Sequence, residues 1–72
     1  MATVYKVRNE MWVEKQAALC RGILLIHTDP DTEYTLVALR ELLERHGLVY
    51  SDAEAALIRD ELMRGGVLEE VA

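Results

Sequence analysis

The residues best suited to chemistry in this chain are His27, Asp29 and Asp31, with the single cysteine, Cys20, seven residues before the histidine. At that spacing one helical face can hold Cys20 and His27, and the two aspartates follow in a turn. Structural zinc takes four ligands and catalytic zinc three. The group therefore reads as a helix end beside a capping turn, not as a metal centre. Asp60-Glu61 and Glu69-Glu70 are neighbours in sequence and read as solvated surface, not as an acid–base pair. The one serine, Ser51, stands three residues before Glu54, the spacing of a capping box, which accounts for it without nucleophilic work. Gly65-Gly66 closes a helix, whereas a phosphate-cradling loop opens one. No catalytic set, cofactor motif or metal site emerges, and the chain reads as non-enzymatic.

The elements that would position these residues follow from length and pattern. Seventy-two residues make a single domain, 1–72, whose one small core leaves no room for a deep pocket. Hydrophobic residues are 51% and charged residues 29%, with four glycines and one proline, which excludes a disordered or low-complexity chain. Residues 3–7 have the composition of a short strand. A first helix is expected from about Asn9, as N-cap, to His27. Its core stripe would be Trp12, Leu19, Ile23 and Ile26, with Val13, Ala17 and Leu24 forming a second apolar line suited to a dimer interface. Asp29 and Pro30 carry the signals of a helix start, so a second helix is expected from there to about His46, stopped by Gly47, with Leu36, Leu39 and Leu43 inward. The Ser51 box starts a third helix that runs to about Arg64 with Ala55, Ile58 and Leu62 inward. Residues 67–71 then alternate as a weak strand able to pair with residues 3–7. The fold class is mainly α with a small β element.

The order of strand, helix, helix, tight turn, helix, Gly-Gly and strand resembles a winged helix-turn-helix, the resemblance being carried by residues 22–71. Its closing pattern, Ser51 followed by Leu62-Met63-Arg64-Gly65-Gly66-Val67-Leu68, is similar to the ending of ArsR-like and MarR-like domains and of small winged-helix proteins of Mu-like phages and prophages. That resemblance implies a regulatory role and a third helix able to read DNA.

Charge argues otherwise. The chain carries eight basic and thirteen acidic residues, a net −5. The expected reading helix holds Asp52, Glu54, Asp60 and Glu61 against Arg59 and Arg64, and carboxylates oppose a phosphate backbone. Duplex binding would fall to Lys6, Arg8, Lys15, Arg59 and Arg64, and is the alternative reading. The preferred one is a regulatory or adaptor module that binds protein through the outer face of the third helix, Ala53, Ala56, Leu57, Asp60, Met63 and Arg64, and forms a homodimer through Val13, Ala17 and Leu24. With no signal peptide, no apolar run long enough for a membrane and one unpaired cysteine, a cytoplasmic location is expected.

Overall fold

The computed structural model describes residues 2–6 and 9–71, and of Asn9 the backbone only. Three helices follow one another: α1 (Asn9–His27), α2 (Leu36–Arg45) and α3 (Asp52–Arg64). The mainly α class is as the sequence indicates. Val7, Arg8 and the expected capping side chain of Asn9 lie outside the described residues.

Among the described residues no strand forms, which corrects the expected β element. The physical reason is visible at the C-terminal end. The N–H groups of Val67 and Leu68 both donate to the carbonyl of Leu62, at 2.9 and 3.2 Å, so these residues close α3 instead of offering a ladder. Residues 2–6 are exposed and non-helical, and among the described residues no strand pairs with them.

The two later helices end in the same way. Gly47 takes φ +83°, its N–H donates to Glu44 O, and the Leu48 N–H reaches back to Leu43 O. Gly66 takes φ +76°, with Gly66 N–H to Met63 O and Val67 N–H to Leu62 O. Both are complete Schellman stops. Each needs a residue free to adopt positive φ, and each folds an apolar residue back beside the last turn. At its other end α3 has the expected capping box: the Glu54 N–H donates to Ser51 Oγ, and the Ser51 N–H donates to Glu54 Oε1.

α2 begins later than its acidic Asp-Pro start suggests. Asp29-Pro30-Asp31-Thr32 forms a turn: Thr32 N–H donates to Asp29 O and Asp31 N–H to Asp29 Oδ1. Proline's fixed φ suits the second residue of a turn as well as the first of a helix, and aspartate caps either. The chain becomes helical at Leu36, where the Thr35 side chain accepts from the Ala38 N–H.

The core consists of Ala17, Cys20 and Leu24 from α1, Leu43 from α2, Ile58 and Leu62 from α3, and Tyr50 from the connection between α2 and α3. Val13 is buried beside it. This reverses the expected assignment of α1. Val13, Ala17 and Leu24 are the inward face, so they cannot form a dimer interface. Leu19 and Ile26 are exposed, and Trp12 and Ile23 sit at the margin. Small side chains at 17 and 20 let α3 approach α1 closely, and dense packing there outweighs the larger area of the alternative stripe.

Candidate functional site

α2 and α3 rest on α1 far more than on each other. Their divergence leaves an apolar crevice of about 200 Å³ between them. Leu36, Val37, Leu39 and Leu43 form one wall, Ala55, Ala56, Ile58 and Leu62 the other, and Leu24 and Tyr50 are also in its lining. Leu36 and Val37 are themselves exposed, at 53% and 66%. The expected inward stripe of α2 is thus corrected at its first member: Leu36 is a lip of the crevice, Leu39 is half-buried and only Leu43 is core.

Polar groups frame this apolar cleft. Arg40 bridges the elements around it. Its Nη1 donates to Asp52 Oδ1 at 2.7 Å and its Nη2 to the Tyr50 carbonyl at 2.7 Å, while its buried Nε has no partner among the described residues. Asp52 is 95% exposed, so the ion pair contributes little to stability and mainly fixes the arginine. Arg59 lies against Asp60 at 3.0 Å and Arg64 against Glu61 at 2.9 Å.

The other side of the core holds a small polar chain. The Tyr50 hydroxyl donates to Gln16 Oε1 at 2.7 Å and accepts from the Cys20 thiol at 3.6 Å, and the Tyr50 ring meets Trp12 edge-on at 5.9 Å. Burial is the main cause that pushes both the Cys20 thiol and the Tyr50 phenol above their ordinary values; their mutual contact raises Tyr50 further. Cys20 has no exposed surface and is a packed, protonated thiol, not a nucleophile.

The remaining sequence candidates fall in different places. His27 stacks on His46, ring centroids 4.3 Å apart, while Asp29 serves the turn. Among the described residues no three His, Cys, Asp or Glu side chains converge. On α3, Ala53, Leu57, Asp60, Met63 and Arg64 are exposed, and Ala56 is half-buried in the crevice wall. By helical spacing the six share one face of α3, turned away from Ile58 and Leu62, with Ala56 at its crevice edge and Leu57 at the edge away from the crevice. The cations are scattered. Lys6 lies in the N-terminal segment, and Lys15 is exposed on the outward side of α1, while Arg59 and Arg64 are engaged by acids of their own helix. Leu36 and Val37 as crevice lips were not legible in sequence, because inward and lip positions of a short amphipathic helix share the same residue types. No helix among the described residues is long and apolar enough to cross a membrane.

No family model matches the chain, and no curated protein or solved structure matches it.

Proposed function

We propose that this chain is a non-enzymatic docking module, a small regulatory or adaptor protein of the helix-turn-helix type. In this reading the crevice between α2 and α3 receives an apolar side chain of a partner segment whose flanks are basic. The observation that carries this is the crevice itself: an apolar cleft with exposed lips at Leu36 and Val37, whose charged lining residues Arg40, Asp52 and Arg59 are each held in an ion pair, on a half of the molecule that is strongly acidic. Residues 28–72 carry eleven acids and four arginines. Three of those arginines, Arg40, Arg59 and Arg64, already hold carboxylates. A duplex would have to break these pairs to gain phosphate contacts. A basic polypeptide can meet the exposed acids outside these pairs, Glu33, Glu41 and Glu44 among them, and an apolar anchor in a cleft supplies the affinity.

Selection from a library of helical peptides tests the reading. The expected winners carry a large apolar residue flanked by Lys or Arg, and they shift the amide resonances of Leu36, Val37, Ala56 and Arg59. Val37→Asp, at an exposed position, should weaken capture at least about tenfold with the fold intact, the scale of losing one anchor contact. Winners that map elsewhere, or nanomolar duplex binding with a steep inverse salt dependence, would overturn it.

A further inference from the structure

The side of α1 that turns away from α2 and α3 is apolar along its length. Met11, Leu19 and Ile26 stand exposed on it, the last at 78%, and Leu25, 62% exposed, borders it on the side of the 28–34 turn. Ala18 and Gly22 lie between them, also exposed, and a Cβ added at Gly22 would meet nothing within 4 Å. Lys15 is the one charge in the middle of this face.

We propose that a second copy of this chain covers this face, α1 packing antiparallel against α1 about a two-fold axis near Leu19. Three observations favour a second copy. The first is charge. α1 carries two acids and two bases, whereas residues 28–72 carry eleven acids and four arginines. Two molecules of net −5 repel through their acidic halves, and the α1 face is where like copies approach at least cost. The second is shape. A two-fold contact must be self-complementary. Antiparallel pairing about Leu19 sets Met11 of one copy against Ile26 of the other at both ends. It sets Lys15 over Gly22, where the absence of a side chain lets the lysine stem cross and its ammonium reach water. Ala18, beside the axis, permits the backbones to come close.

The third is area. The face from Met11 to Ile26 is about 23 Å long. Covering it buries roughly 400–500 Å² per copy, the size of a weak, transient interface, so the dimer is reversible.

Sedimentation equilibrium from about 5 to about 500 µM chain in about 150 mM salt tests this. The average mass should rise from 8.2 kDa toward twice that value. Ala18→Glu, which sets two carboxylates beside the axis, should weaken association at least about tenfold, with an unchanged helical circular dichroism spectrum. Ile26→Ser, at the end of the face, checks the same surface should the first variant lose helix. Leu57→Asp, on the outer side of α3, should leave the dimer intact. A wild-type chain that stays monomeric throughout, folded Ala18→Glu and Ile26→Ser variants that still pair normally, or a Leu57→Asp variant that dissociates would each overturn the proposal. None of these outcomes depends on whether the crevice between α2 and α3 binds a peptide.

Discussion

Tyr50→Phe removes one oxygen and nothing else, so its cost follows from the contacts that oxygen makes. The hydroxyl donates to Gln16 Oε1 at 2.7 Å and accepts from the Cys20 thiol at 3.6 Å. Gln16 is half-exposed and can turn to water, so losing the first bond costs the net value of a neutral hydrogen bond, about 1 kcal/mol. The thiol is a weak donor and adds little. The ring keeps its burial and its edge-on contact with Trp12, so no cavity opens. A chain of this length has a total stability of roughly 4–11 kcal/mol, so the variant should fold, with Tm lowered by about 4–8 °C. Cys20 supplies an independent readout. With no exposed surface, it reacts with a thiol reagent only when the core opens. Where closing is faster than labelling, its rate follows the opening equilibrium and should rise about fivefold in the variant. Equilibrium melts and thiol labelling must then agree. A Tm loss several times larger, or a labelling rate that does not change, would refute the view that the hydroxyl is one modest bond and that Cys20 is shielded by the cooperative fold.

Two other perturbations test the local logic of the fold. Ser51→Ala removes the acceptor for the Glu54 N–H and should cost about 1 kcal/mol, read by urea melts, whereas Gly47→Ala forces a side chain into φ +83° and should cost about 1–2 kcal/mol. Stability should also fall on raising the pH above about 9. The Cys20 and Tyr50 protons are held above their ordinary values of 9.0 and 10.0 in the native state, so the unfolded chain releases them first. The contribution is intact below the unfolded values and is lost as pH rises past them. Cys20→Ala should flatten the first part of that decline, and stability that rose with pH would contradict the burial of both groups.

What the sequence made legible was chemistry confined to a few neighbouring residues. The Ser51–Glu54 box and the Gly47 stop work through local hydrogen bonds, and they appear where the pattern places them. Where two local meanings exist, the sequence could not choose. Asp29-Pro30 starts either a helix or a turn, and here it starts a turn. Val67 and Leu68 alternate like a strand, yet their N–H groups are taken by Leu62 O. The inward face of α1 was the larger misreading. Leu19 and Ile26 outweigh Ala17 and Cys20 in hydropathy, but close approach of α3 favours small side chains, a tertiary requirement that periodicity along one helix does not contain. The crevice was invisible for the same reason, since it exists only because α2 and α3 diverge from a shared support.

That divergence bears on selectivity. The two walls of the cleft are seated on a common beam and joined to one another through Leu43 in the core and the Arg40–Asp52 pair, so the gap between their outer turns has few direct ties across it. If the cleft docks a partner as proposed, it should accept leucine, methionine and phenylalanine anchors with little discrimination. Discrimination would then fall to the charged groups around the cleft, so ligands should be sorted by the charges flanking the anchor more than by the anchor itself.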